Sequence, residues 1–218
     1  MLKNTVNKRL LNILRKINND NFFKDYYLVG GTALSLQIGH RISEDLDFFS
    51  FKGLENNLLY DHVRSNICKD IEITNQSGRI LQLYSKKENI KIDFVNEPYK
   101  PIENILNIDG IKLLGLNDIS AMKIAAIGQR GNQAKDFVDV YFLLNYMSMD
   151  KIMENFKKRC KITDILHYIR SLIYFDDVKN VSWEEVKYIG DKLTPNKVKA
   201  KIVNEVKKYK ESIDADCV

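Results

Sequence analysis

Cysteine, proline, histidine and tryptophan are scarce in this chain, with 3, 3, 3 and 1 in 218 residues. Cys68, Cys160 and Cys217 are isolated, odd in number and lack any Cys-x-x-Cys pair. That pattern argues against both a disulfide framework and a zinc site. His40, His62 and His167 are scattered, and none pairs with a nucleophile at a recognisable spacing. Neither a Gly-x-Ser-x-Gly elbow nor a Gly-x-x-x-x-Gly-Lys-Ser/Thr loop is present, which excludes the hydrolases and P-loop proteins that depend on them. No apolar run approaches the roughly 20 residues needed to span a bilayer, so no membrane association is expected. Near the N-terminus, Leu10, Leu11, Ile13, Leu14 and Ile17 are interrupted by Arg15 and Lys16 and preceded by Lys8 and Arg9. Without an unbroken apolar stretch or a small-residue cleavage site this is not a secretion signal, and a cytoplasmic location is expected.

What remains is an ordinary soluble composition with charge unevenly spread. Residues 151–210 carry 15 Lys and Arg against 8 Asp and Glu, a net of +7, while residues 1–150 are close to neutral. A basic C-terminal half suits a polyanion such as RNA, because neutralising phosphates drives non-specific binding. The same residues also suit solvated, lysine-rich helix faces.

The pattern changes near residue 115. Before it, short β-like runs alternate with helical spacings. Tyr26–Val29 reads as a strand ended by Gly30-Gly31, and Thr32–Gly39 as a short helix that Thr32 caps or opens and Gly39 closes. Asp45–Phe51 alternates, then loses the alternation in Phe48-Phe49, and Ile80–Ser85 and Ile90–Val95 flank a polar turn as a hairpin. Leu58, Leu59, Val63 and Ile67 predict a helix within residues 53–72. After residue 116 the spacing is almost wholly helical. Asn117 is the expected cap of a helix running to Gly131, and a second helix starts near Lys135. Further helices are expected over Ile152–Lys161 and Thr163–Tyr174. Ser182-Trp183-Glu184-Glu185 matches a capping box, and Thr194-Pro195 opens a last helix. The expected organisation is α+β: an α/β module over 1–115, then a helical module over 116–218.

The most informative residues are the acids. Successive strand residues point to opposite faces, so Asp45 and Asp47 project together while Leu46 and Phe48 face the core. Carboxylates held side by side repel unless a cation or hydrogen-bond donor compensates. A hard cation with oxygen ligands, most naturally Mg²⁺, resolves the conflict, and such ions are shared with substrate phosphates. Asp93 sits inside another strong strand, on a face with Lys91 and Val95. It is either a third carboxylate of the same site or a surface residue of a half-exposed sheet. The Gly30-Gly31 turn lets backbone N–H groups at a helix start face an anion without obstruction. In the second half, Lys123 and Arg130 are seven apart and share a helical face, as do Asp136 and Asp139. These four make either a substrate-facing set or an internal ion-pair network.

The run Tyr26-Tyr27-Leu28-Val29-Gly30-Gly31-Thr32-Ala33-Leu34, followed by His40-Arg41-Ile42-Ser43-Glu44-Asp45-Leu46-Asp47-Phe48-Phe49, resembles the first motif of the AbiEii toxin family. These are minimal nucleotidyltransferases related to the DNA polymerase β-type fold, including toxins of type IV toxin–antitoxin and phage-defence systems. The segment from Leu116 through Lys123 to Arg130, with Lys135-Asp136-Phe137-Val138-Asp139-Val140-Tyr141, resembles the family's helical motifs. The resemblance covers roughly residues 25–145 and implies a mixed-sheet nucleotidyltransferase module followed by a helical bundle that completes the nucleotide site. It implies that Gly30, Gly31 and Thr32 contact nucleotide phosphates, that Asp45 and Asp47 ligate metal, and that Asp93 is the third carboxylate and helps activate the acceptor hydroxyl. Lys123 would meet the triphosphate, and either Asp136 or Asp139 would be the acid of the last motif. Arg41 would reach a phosphate or offset the local negative charge.

The implied reaction is metal-dependent transfer of a nucleoside monophosphate from an NTP to an acceptor hydroxyl, with Mg²⁺, or Mn²⁺ in its place. The acceptor would be RNA, such as a tRNA 3′ end, or a protein, and a cognate antitoxin would be the partner. The competing expectation is a non-catalytic RNA- or partner-binding protein on a degenerate version of the same fold. A phosphatase with an aspartyl-phosphate pair is disfavoured because Phe49 stands where that chemistry places a small residue.

Overall fold

The computed structural model describes residues 3–191 and 193–216. It divides into two compact units, split between Gly115 and Leu116.

The first unit opens on helix α1 (Lys8–Asn19), whose start is fixed by Asn7 Oδ1 accepting the Leu10 N–H at 2.8 Å. Its Leu10, Ile13, Leu14 and Ile17 form one buried stripe. Strand β1 (Tyr26–Val29) runs into α2 (Gly30–Ile38), which Gly39 closes in the left-handed conformation (φ 71°). Strand β2 (Asp45–Ser50) is followed by α3 (Asn56–His62) and β3 (Ile71–Ser77). Then come β4 (Ile80–Ser85), β5 (Ile90–Asn96), and the short pair β6 (Leu106–Ile108) and β7 (Ile111–Leu113). The seven strands form one mixed sheet in the order β3-β4-β5-β2-β1-β7-β6. Antiparallel hairpins account for most of it, but β2 pairs with β5, and β1 with β7, in parallel. Parallel partners need a crossover connection; here the chain leaves β2, builds α3, β3 and β4, and returns as β5. One face of the sheet is apolar: Leu46, Phe48, Leu81, Leu83, Ile92 and Phe94 are all buried there, with Phe48 and Phe94 stacked at 5.4 Å.

The regular elements of the second unit, among its described residues, are helices: α4 (Leu116–Arg130), α5 (Ala134–Leu143), α6 (Met149–Cys160), α7 (Leu166–Leu172), α8 (Asn180–Glu184) and α9 (Pro195–Asp216). Ile124, Phe137, Val140, Ile152, Phe156, Val198 and Ile202 make its core. Arg159 on α6 pairs with Asp118 on α4, both buried.

Several local expectations are corrected. The helical stretch expected within 53–72 is α3 extended by one wider turn through Ile67, after which Ile71–Ser77 forms a strand. That strand is the sheet edge, with only Ile71 buried, so it carries no apolar alternation to announce it. Thr32 does not cap α2; it lies in the helix's first turn, with its hydroxyl committed to Ser43 Oγ (2.9 Å) and the Asp45 carbonyl. Asn117 likewise lies inside α4, where its Oδ1 accepts from Asn155 at 3.1 Å. Ser182 does not cap its own helix, which starts at Asn180; its Oγ accepts the Ala134 N–H at 2.9 Å and so caps α5. Cys68 and Cys160 form no disulfide, and Cys217 lies outside the described residues. Among the described residues no helix is long and apolar enough to cross a membrane.

Candidate active site

The sheet register assembles the acids. Because β2 and β5 run parallel, Asp47 lies directly beside Asp93 and Asp45 beside Lys91. Paired residues project to the same side of a sheet, so Asp45, Asp47, Lys91 and Asp93 share the face opposite the Phe48–Phe94 core. Antiparallel β4 adds Gln82 opposite Asp93 on that face. On the other flank, β1 pairs Val29 with Asp47, which brings the diglycine turn beside the second acid. Gly30 has φ +69°, and a Cβ there would stand 2.5 Å from Asp47 Oδ2. Both the backbone angle and the close approach require glycine. A Cβ on Gly31 would collide with the Arg41 guanidinium, whose Nη1 donates to the Ile42 carbonyl at 3.1 Å. Arg41 is buried, so its charge lies against the start of α2 rather than in bulk water.

Gly30, Gly31 and Thr32 are the first three residues of α2. The N–H groups of a first helical turn have no intrahelical acceptor and carry the positive end of the helix dipole. The Thr32 side chain is committed to holding α2 against the start of β2, so its available contribution to an anion is its backbone N–H.

Asp93 is 8% exposed. Its Oδ2 accepts from Lys91 Nζ and from Gln82 Nε2, both at 2.7 Å. Its Oδ1 is buried without a hydrogen-bond partner. Lys91 is half-buried; burial disfavours its charge, but the Asp93 hydrogen bond and the charges of Asp93, Asp47 and Asp45 outweigh that and raise its pKa above the ordinary lysine value. A lysine ammonium therefore provides positive charge among the three acids. Among the described residues no three acidic, histidine or cysteine side chains are already gathered as a metal-ligand set. The donors are nonetheless of the type a hard cation takes: three carboxylates on one sheet face, one of them with a buried, unpartnered oxygen.

The second unit holds its own charged cluster. Lys123 Nζ lies 2.9 Å from Asp136 Oδ1 and 2.6 Å from Asp139 Oδ2. Arg130 reaches Asp136 Oδ2 with Nη2 at 2.6 Å and Nε at 3.1 Å. Burial pushes the Asp136 carboxyl up, but the charges of Lys123 and then Arg130 prevail and hold it below the ordinary carboxylate range. Lys123, Asp136 and Asp139 are buried, whereas half of the Arg130 side chain is exposed. Two of the three Lys123 protons are directed at carboxylates, so Arg130 is the cation of this cluster that meets solvent.

Gln82 is the residue that reading the sequence for acids overlooks. The signal for it lies in the hairpin: once Ser85 pairs with Ile90 across the polar turn, Gln82 must stand opposite Asp93. Alternation places Lys91 on the acid face, and its bond to Asp93 appears only in the structure. His62 and His167 carry local roles, bonding Asp20 and the Gly128 carbonyl, each at 2.7 Å.

Comparison with known proteins gives these geometries a family. Residues 12–213 match the family described as nucleotidyl transferase AbiEii toxin, type IV TA system. Over 185 residues the chain is 35% identical to "Uncharacterized protein aq_aa25" of Aquifex aeolicus, covering 80% of this chain and 85% of that one. Two solved structures share its fold at low identity. MenT4, a nucleotidyltransferase toxin of Mycobacterium tuberculosis, superposes with a TM-score of 0.62 at 14% identity over 89% of this chain and 79% of its own. JHP933 of Helicobacter pylori gives 0.58 at 17% identity over 97% and 96%. With a match across nearly its whole length and a sheet that sets paired acids beside a diglycine turn, the chain is a nucleotidyltransferase and belongs to the AbiEii toxin family of type IV toxin–antitoxin systems.

Proposed function

We propose that the protein transfers the nucleoside monophosphate of an NTP to an acceptor hydroxyl at the face formed by Asp45, Asp47 and Asp93. The observation that carries this reading is the in-register pairing of Asp47 with Asp93 across parallel strands, with Gly30 packed against Asp47. Lys91 offsets only one of the three carboxylates on this face, and the remaining negative charge suits a further cation. Mg²⁺, or Mn²⁺ in its place, held by the three acids would supply charge neutralisation and alignment for the triphosphate.

The remaining steps fall to the chain's own residues. The backbone N–H groups of Gly30, Gly31 and Thr32 bind phosphate oxygens at the α2 start, and Arg41 adds a fixed charge beside them. The acceptor oxygen attacks the α-phosphorus, a new P–O bond forms, the α–β P–O bond breaks and pyrophosphate departs. Asp93 helps activate the acceptor hydroxyl and receives its proton. In the helical unit, Lys123 would be the phosphate-facing cation, with Asp136 and Asp139 orienting it and Arg130 joined to the same cluster. The RNA or protein acceptor is taken to be polyanionic where residues 151–210 carry their +7. Family membership suggests a cognate antitoxin as partner.

The test is transfer of label from α-³²P-NTPs, with Mg²⁺, onto total RNA and total protein. Wild-type protein labels an acceptor and Asp47→Ala does not. Equal labelling by the Asp47→Ala protein would refute the assignment of the acid face.

A further inference from the structure

We propose that Gln82, itself held by Asn75, is a positioning residue that clamps Asp93 through Oδ2 and so fixes the orientation of its carboxylate. The inference rests on the transferase reading above and adds to it two residues from outside the acid set. Gln82 Nε2 donates to Asp93 Oδ2 at 2.7 Å across the β4–β5 pair. From β3, Asn75 Nδ2 donates to Gln82 Oε1 at 3.0 Å. Asp93 can only accept, so it dictates that the Gln82 nitrogen faces it, and Asn75 holds the Gln82 oxygen on the other side. Lys91 adds a second donor on the same Asp93 oxygen. With both donors on Oδ2 the carboxylate plane is fixed, and the buried Oδ1 is left without a partner. The relay thus crosses three adjacent strands, from the exposed sheet edge to the acid face.

A glutamine and an asparagine in this arrangement have no other visible task. Gln82 lies opposite Asp93 on the polar face and contributes nothing to the Leu81–Leu83 core. Asn75 is solvent-exposed, beside an irregularity in the β3–β4 register, where removing a side chain costs little fold stability. Partners that orient a metal-binding or catalytic carboxylate contribute about 10- to 100-fold in affinity or activity. Carboxylates held by neutral amides keep their charge, whereas a second lysine at position 82 would add a competing cation at the site.

The test uses the full chain with Gln82→Met, which keeps the length and removes the donor, Asn75→Ala, the double variant, and Gln76→Ala as a control on the same exposed strand. Mn²⁺ binding is read by electron paramagnetic resonance, and transfer by the labelled-NTP assay at saturating Mg²⁺. Gln82→Met should weaken Mn²⁺ binding and lower kcat, each by about 10-fold or more, with KM for the NTP within about twofold. Asn75→Ala should act in the same direction but less strongly, and should add nothing once Gln82 is gone, because its effect passes through the amide. Gln76→Ala should change neither readout. Wild-type affinity and turnover in Gln82→Met would overturn the positioning role and leave the transferase reading intact, as would an Asn75→Ala effect of equal size in the Gln82→Met background. Weaker Mn²⁺ binding in Gln82→Met with no labelling by any protein would keep the clamp and remove the transferase reading. A wild-type protein that binds no Mn²⁺ and labels nothing would remove both.

Discussion

Gly30 and Gly110 share a backbone conformation and differ in their surroundings, which makes them a matched pair. Gly30 has φ +69° and Gly110 φ +82°, and both lie in the first unit. A Cβ on Gly110 meets nothing within 4 Å, whereas one on Gly30 would stand 2.5 Å from Asp47 Oδ2. Placing alanine in the left-handed region costs about 1–2 kcal/mol at either position. For a chain of this size that corresponds to a fall in Tm of about 2–8 °C. Gly30→Ala carries a second cost. To restore ordinary van der Waals contact, the Asp47 carboxylate must retreat by about 1 Å, and a displacement of that size at a reacting group costs about 10²-fold in rate.

The two variants should therefore lose similar stability by thermal denaturation and diverge in nucleotide transfer. Gly110→Ala should retain wild-type turnover at temperatures where it is folded, and Gly30→Ala should lose about 10²-fold. Assaying both well below their melting temperatures removes unfolding as an explanation. Equal activity in the two would show that the position of Asp47 does not matter, and the acid face would lose its claim to the chemistry.

Two further predictions concern the helical unit. Asp136 has its pKa lowered in the folded state, so its stabilisation is complete above its unfolded value, near 3.8, and is lost as pH falls through the lower folded value. The gap in urea midpoint between wild type and Asp136→Asn should be constant above about pH 5 and narrow steadily below 4; a gap that stays constant on acidification would mean that Asp136 is not held by Lys123 and Arg130. Arg159→Ala removes the partner of the fully buried Asp118 and should cost about 3–5 kcal/mol in urea unfolding. A loss under about 1 kcal/mol would show that the pair is dispensable.

Much of this architecture is legible in local sequence pattern, and what is not has identifiable causes. Asp45–Phe48 alternates in sequence, enough to read the strand and the direction of its acids together, and the burial goes on alternating past Phe48-Phe49, where the sequence pattern is lost. Thr194 caps α9 as its place before Pro195 predicts, its Oγ1 accepting the Lys197 N–H at 3.3 Å. The edge strand β3 is hidden because an edge strand with solvent on both faces needs no apolar period, and its polar residues suit a sheet margin. The parallel β2–β5 pairing is hidden for a different reason. It pairs residues 46 positions apart, such as Asp47 and Asp93, and no local pattern specifies which strands pair across a crossover. Ser182 shows a third cause: its capping signature is real, but tertiary packing directs the side chain to α5 instead of its own helix.

The acid face illustrates how far composition carries a site and where geometry must take over. Acids inside strong strands are conspicuous because propensity disfavours them, so Asp45, Asp47 and Asp93 stand out by type. Gln82, Asn75 and Lys91 do not, since a polar residue on the open face of a half-exposed sheet is ordinary. Their significance comes from distance: two donors at 2.7 Å on one carboxylate oxygen leave the other without a partner in a buried position. A buried oxygen with no donor is a cost the fold bears. On the proposed reading, a carboxylate whose other oxygen takes a cation or a proton needs its first oxygen held in place, and the Gln82 amide would then share in the chemistry of the acid it holds.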